Sequence, residues 1–392
     1  MKKITNQNRI NGRTAACLIA ATCLSTVAQA EKLYWILSGT AGGDWNESAF
    51  WSTSASGGST GLYAKLAGEA NEIIFPAGDS SIVMVQGVKP SQAVSRIRLE
   101  QGKITIQGVT SGRILPLTGD AEIDTAGKSV LTCNVKLAGS AGMTKTGTGT
   151  LEMGQAGGYT GSTRIKEGVM TVSKNDVIPD DNAVVIDAGA TLTCAVGGGR
   201  QETVGSIAGA GTLVLKSAVV DAPAFTVGGD NRSTEFSGVI RSDNAIGWFI
   251  KTGTGALTLS GNNTYGQETR VTSGTLLVNG NSRKSSGKVL VSSGAALGGS
   301  GTIGGNVDFE KGAKFRFSKD PLTVGRKVTF EKLGVEDIVG LTADVTPGTY
   351  TLIAGTVDLT NVSNTSPADA ADIGGGRKAY LSGEGLQLII IK

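Results

Sequence analysis

Histidine is absent from all 392 residues. That removes every mechanism that uses imidazole as base, acid or metal ligand. Aromatic residues make up only 5% and prolines number 8. No apolar run approaches the roughly 20 residues needed to span a bilayer as a helix. Charge is nearly even, with 36 Lys+Arg against 33 Asp+Glu. There is no surplus of either sign, so nucleic-acid binding has no electrostatic support.

Cysteine is also scarce, at 4 residues. Cys17 and Cys23 fall within an N-terminal segment with the layout of a secretory leader. Lys2, Lys3, Arg9 and Arg13 form a basic head, Ala15 to Val27 an apolar middle, and Ala28-Gln29-Ala30 the small-x-small end that a signal peptidase accepts. Residues 1–30 are read as a signal peptide cleaved after Ala30. Neither leader cysteine has the upstream leucine of a lipoprotein signal. Without the leader's four basic residues, 32 basic face 33 acidic side chains, a net charge of −1. Cys133 and Cys194 remain. At about 20 residues and ~4.8 Å per solenoid rung they would lie about 14 Å apart, beyond the roughly 7 Å Cα limit for a disulfide, so buried thiols are expected.

What the chain has in excess is glycine, 59 residues or about twice the usual share. Short apolar, β-branched stretches such as Lys103–Gln107, Ala183–Asp187, Thr212–Leu215, Thr275–Val278 and Lys288–Val291 alternate with Gly, Asn, Asp and Ser every six to twelve residues. No helical period is sustained. The fold class is all-β, built from many short strands.

Internal repetition separates solenoid from sandwich or barrel. Lys145, Gly147, Gly149, Leu151, Tyr159 and Gly168 recur at an offset of 106 as Lys251, Gly253, Gly255, Leu257, Tyr265 and Gly274. Arg164 and Val172 recur as Arg270 and Val278 without a gap. Gly-Thr-Gly gives a tight turn where a β-carbon would clash. The strand after it alternates, with Leu257 and Leu259 inward. Asn262-Asn263-Thr264 reads as a second turn, and Tyr265 and Val271 resume apolar contact. One such unit cannot bury its own apolar face and must stack on neighbours. Lys145 and Lys251, with Arg164 and Arg270, are expected as exposed ladders.

These units, Lys251 to Tyr265 with Gly274 to Val278 and the copy at 143–172, resemble the autotransporter-associated β-strand repeat of passenger-type surface proteins in Gram-negative bacteria. Gly43–Asn46 and Ala49–Trp51 resemble the tryptophan-rich opening that such proteins carry. The resemblance implies a right-handed parallel β-helix (β-solenoid), export to the surface and often adhesion. It implies no catalytic residues. The tail Leu386–Lys392 is one strand long and ends in Lys, so the chain is read as lacking the family's C-terminal translocator barrel.

The expected organisation is an N-terminal aromatic-rich cap over 31–75 (Tyr34, Trp35, Trp45, Phe50, Trp51, Tyr63), a solenoid body over 76–312 and a C-terminal β cap over 313–392. Asp120, Glu122 and Asp124 share one strand face. They form either a solvated surface or a carboxylate site for Ca²⁺ or for polysaccharide cleavage. Asp180-Asp181 reads as a turn. No cofactor, metal or catalytic residue is expected. The function expected is that of an exported structural or adhesin-like solenoid contacting host or matrix glycans or proteins, or other surface proteins. The compartment is extracellular or the outer surface, with the periplasm as the other destination open to such a leader. A carboxylate-based polysaccharide lyase or hydrolase and a glycan-binding protein using the tryptophan cap are the alternatives.

Overall fold

In the computed structural model, the described residues are 32–36, 43–45, 50–54, 56, 71–84, 93–110, 112–195, 201–216, 224–243, 248–342, 345–383 and 385–392. The leader, its cleavage point after Ala30 and Tyr63 lie outside them. The described residues contain strands and two short 3-10 turns but no α-helix. Strands pair almost wholly in parallel with the strand one turn away, which makes the chain a β-solenoid.

Each turn visits three faces in a fixed order. Around the first copy of the repeat, Met143–Thr146 lies on the first face, Thr150–Met153 on the second and Gly158–Tyr159 on the third. Thr163–Ile165 then returns to the first. Side chains alternate in and out along each strand. Leu151 and Met153 point inward and Glu152 outward in Thr150–Met153. Equivalent inward positions stack turn on turn: Ile104, Leu131, Leu151, Met170, Leu192, Leu213 and Ile240 form one column. All are buried in a single continuous core. Cys133, Met153, Val172 and Cys194 form another column. Their register puts the two cysteines three turns apart, both buried and without a disulfide, and burial pushes the Cys133 thiol up to about 12.

Glycines serve where turns stack most closely. Gly147 and Gly253 hold left-handed φ values of 72° and 69° at the corner after each repeat lysine.

At the N-terminal end Trp35, Trp45 and Trp51 are buried and meet edge to face, Trp35–Trp51 at 5.0 Å and Trp45–Trp51 at 5.1 Å between centroids. Trp51 donates its indole N–H to the Trp45 carbonyl at 2.8 Å. At the C-terminal end the pairing changes sign. Gly348–Val357 pairs in parallel with Leu322–Phe330 on one side and antiparallel with Leu386–Ile391 on the other. Leu386–Ile391 in turn pairs antiparallel with Arg377–Ser382.

The 106-residue offset is not a whole number of turns. The first copy starts on the first face at Met143–Thr146, whereas the second starts on the third face at Trp248–Lys251. The strand Thr150–Met153 on the second face corresponds to Ala256–Leu259 on the first. The same sequence unit therefore serves different faces. It specifies a strand, a corner and the next strand, whichever side of the solenoid it occupies.

One expected turn differs. Where the second-face ladder ends at Val239–Ser242, Asn263 turns inward rather than into solvent and is buried. Its Oδ1 accepts the Ile240 N–H at 2.8 Å and its Nδ2 donates to the Gly261 carbonyl at 3.3 Å. A side-chain amide there replaces missing ladder bonds that a buried backbone would otherwise lack.

Candidate functional site

The lysines of the repeat are inside the solenoid. Lys145 and Lys251 are 0% and 2% exposed, which overturns their expected placement on exposed ladders. Lys145 alternates with Thr144 and Thr146, so its parity matches inward Met143. Its Nζ donates to three carbonyls, Thr146 at 2.6 Å, Gly147 at 2.7 Å and Glu167 at 3.3 Å. Lys251 repeats the pattern with Thr252 at 2.6 Å, Gly253 at 3.1 Å and Ser273 at 3.3 Å. In each copy the ammonium ties its own glycine corner to the corner one turn on. A buried ammonium has three donors to place, and the bend supplies three acceptors. Burial still disfavours the charge and lowers both amines to about 8; at Lys145, Asp124 and Glu167 act the other way.

Lys251→Met keeps most of the volume but leaves those carbonyls unpartnered. It is expected to cost about 2 kcal/mol at neutral pH, read as a lower denaturant midpoint.

Tyr159 and Tyr265 are buried likewise, each sharing a hydrogen bond with the hydroxyl four residues on, Thr163 at 2.7 Å and Thr269 at 2.8 Å. Tyr159→Phe should cost roughly 1 kcal/mol in the same assay. The two arginines do not ladder with each other, since they occupy different faces. Arg164 is bound to Asp187 at 2.9 Å. Arg270 is bound to Glu268 at 2.6 Å and lies 4.3 Å from the ring centroid of the exposed Trp248.

The acidic strand is outward. Glu122 and Asp124 enter an ion-pair ladder running along the solenoid: Lys32–Glu72 at 3.8 Å, Glu72–Arg96 at 3.8 Å, Arg96–Glu122 at 3.3 Å and Arg98–Asp124 at 3.5 Å. Thr146 also donates its hydroxyl to Glu122 at 2.7 Å. Asp120 sits at the corner before them and accepts the Gly142 N–H at 3.4 Å. Two turns on, Arg164 and Lys166 stand on the same side. The short residues Gly142 and Thr144 between them leave a notch of about 380 Å³. Among the described residues, no group of three His, Cys, Asp or Glu side chains could hold a metal ion. Asp180 and Asp181 lie in a turn.

Glu202 is the buried acid that sequence reasoning passed over. It points into the core beside Val204 in Gln201–Val204 and is 0% exposed. Its carboxyl accepts the backbone N–H groups of Ile178 at 2.6 Å and Val177 at 3.2 Å. It thereby anchors residues 173–182, which cross the third face where a strand is missing. Burial raises it to about 8 against the two hydrogen bonds that lower it; Asp176 and Asp180 add to the rise. The available signal was inward parity with Val204.

Residues 143–172 and 249–278 match the model of the Passenger-associated-transport-repeat. The chain carries this repeat twice. Its two matched segments contain all the buried lysines and tyrosines of the corners described above. A stretch of 110 residues, 28% of the chain, is 37% identical to the adhesin BmaC autotransporter of Brucella suis biovar 1 (strain 1330). That stretch spans only 3% of the relative's length. No solved structure matches the chain. Within the passenger-associated repeat, the shared Lys-Thr-Gly-Thr-Gly run forms the corner, and three outward strand positions vary: Thr144 stands where the second copy has Ile250, Glu152 where it has Thr258, and Thr171 where it has Leu277.

Proposed function

We propose that the chain is an exported, non-catalytic adhesive scaffold of a Gram-negative cell surface. Its outward strand positions would contact host or matrix glycans or proteins, or other surface proteins. The carrying observation is the division of labour within the repeat. The repeat lysines and tyrosines that the copies share are buried, while several outward strand positions differ between the copies. The outward Arg164 and Arg270 are shared, however, and some buried apolar positions, such as Met143 and Phe249, are not. The 37% identity to part of an adhesin autotransporter supports the same reading. Residues 1–30 act as the leader in this proposal, and the N-terminal residue of the mature protein should be Glu31 on sequencing. Residues 31–75 and 313–392 act as caps around a body over 76–312, because an open end turn presents unpaired backbone edges.

Beads coated with the purified mature chain should bind epithelial cells or matrix above a denatured-protein control, and soluble chain should compete. Beads that bind no better than the control would remove the adhesive reading.

The carbohydrate-active alternative gains one observation, since acids and bases face each other across the notch. Glu122 is held by Arg96 and Thr146, and Asp124 by Arg96 and Arg98. Asp120 alone is left to the open space, and glycoside cleavage needs two cooperating carboxyl groups. The notch suits binding better than cleavage.

A further inference from the structure

The notch on the first face is the place where the solenoid's outer charge pattern breaks. Along the column Glu72, Arg96, Glu122, Thr144, Arg164, charge alternates until Thr144, where it is interrupted by a neutral, short side chain. The neighbouring column reads Arg98, Asp124, Thr146, then Lys166 one residue past the strand. On this face one turn thus carries only hydroxyls outward. Acids stand on the turn before it and bases on the turn after it. Asp120 and Glu122 form one wall, Arg164 and Lys166 the other, and Thr144 and Ser162 line the space between, with a volume of about 380 Å³.

The walls are not equally committed. Arg164 is bound to Asp187 through Nε at 3.1 Å and Nη2 at 2.9 Å. Glu122 is held by Arg96 and Thr146. Lys166 is exposed and enters no ion pair among the described residues, whereas Arg96, Arg98 and Arg164 on the same face each do. Asp120 uses one oxygen, weakly, on the Gly142 N–H. A vacant ammonium and a largely vacant carboxylate therefore stand at diagonal corners of the notch, with Thr144 and Ser162 lining the space between.

Two turns span about 9.6 Å at ~4.8 Å per strand spacing. Asp120 and Lys166 also stand four residues apart in register, which makes the Cα diagonal about 16 Å. One pyranose ring, roughly 5 Å across, with a hydrogen bond at each end reaches both through the long lysine side chain. A carboxylate on the ring would meet the lysine, and ring hydroxyls would donate to Asp120 and exchange hydrogen bonds with Thr144 and Ser162. A charge-assisted bond to the carboxylate would be the stronger of these contacts. We infer that this notch binds a carboxylated sugar residue of an acidic glycan, with Lys166 taking the carboxylate and Asp120 the hydroxyls on the opposite edge. The inference rests on the adhesive reading and names its ligand class.

The test uses tetragalacturonate and its carboxyl-reduced neutral counterpart, titrated into the mature chain by calorimetry at low salt. The expected result is binding of the uronate, at least tenfold weaker binding of the neutral tetramer, and about tenfold weaker uronate binding by Lys166→Gln. Asp120→Asn should weaken both tetramers by a similar factor. Both side chains are exposed, and circular dichroism checks that the variants fold. Equal affinity for the two tetramers, wild-type affinity in Lys166→Gln, or no uronate binding at millimolar concentration overturns the assignment. Coated beads separate the two levels. Wild-type beads that adhere, from a protein that shows no uronate binding in the calorimeter, refute the notch and leave adhesion standing. Uronate binding that depends on Lys166, from beads that do not adhere, supports the notch and refutes adhesion.

Discussion

Gly274→Ala is expected to abolish stable stacking of the turns around residues 249–278, whereas Gly294→Ala is expected to be mild. Both glycines have a left-handed backbone, with φ values of 65° and 79°. Each substitution therefore carries the strain of a β-carbon in that region, of order 1–2 kcal/mol. They differ in what the β-carbon meets. At Gly294 it enters open space. At Gly274 it would lie 2.5 Å from the Gly255 carbonyl oxygen, against the Gly253 carbonyl as well, and 2.8 Å from the Lys251 Nζ. Two of these neighbours are backbone of the previous turn and cannot swing away. The turn must move, and with it the bonds of Lys251 to the corner. A total cost above about 4 kcal/mol follows from strain, overpacking and the lost staple together. Gly168→Ala should behave alike, since its β-carbon would lie 2.5 Å from the Gly147 carbonyl oxygen. Denaturant melts followed by far-ultraviolet circular dichroism distinguish the pair. Equal small losses at Gly274 and Gly294 would mean that turn-to-turn contact at the corner is not tight.

Stability should fall as pH rises from about 5 to 8. Glu202 drives this limb. Its folded value of about 8 lies above the 4.5 of an ordinary glutamate, so the folded state holds the proton longer than the unfolded one. The contribution is fully present below the unfolded value and is lost as pH passes through the folded one. Its size is on the order of 3–5 kcal/mol. Lys145 and Lys251 act in the opposite sense. Their folded values near 8 lie below the ordinary 10.5. The unfolded chain binds more protons between those values, and stability recovers as pH rises above 8. That limb is short, because the raised Cys133 thiol and the raised tyrosines Tyr159 and Tyr265 withdraw stability once their unfolded forms ionise, from about pH 9. Melting points measured from pH 5 to 9 should therefore pass through a minimum near 8. Glu202→Gln should flatten the acidic limb, and Lys251→Met should weaken the recovery. A wild-type profile that rises steadily from pH 5 to 8 would contradict a protonated Glu202 in the core.

The repeat and its strands were readable because alternation and Gly-Thr-Gly spacing are local signals. Leu257 and Leu259 point inward as their parity demands. The cysteines lie three turns apart because rung length follows from the same spacing. The lysines were misplaced because lysine is rarely buried. Lys145 nevertheless shares inward parity with Met143, and a lysine repeated immediately before each glycine corner is a poor candidate for solvent. Glu202 was harder to find, since its partners, the Val177 and Ile178 N–H groups, lie more than twenty residues away. Asn263 looked like a turn residue, because nothing local reveals that the second-face ladder ends beside it. The step of the repeat from one face to another was equally hidden, for it depends on how many strands separate the copies rather than on the offset of 106. The acidic strand was legible as an outward face. The notch beside it required three successive turns to be placed in register.

The most direct measurement is a thermal melt, paired with bead adhesion, of a chain whose two copies exchange their outward residues: Thr144 with Ile250, Glu152 with Thr258 and Thr171 with Leu277. If the passenger-associated repeat encodes the buried corner and leaves the outer face open to other uses, the melt stays cooperative and within a few degrees of wild type while adhesion changes. Loss of the cooperative β transition, with Lys145, Lys251 and their glycines untouched, would contradict that division.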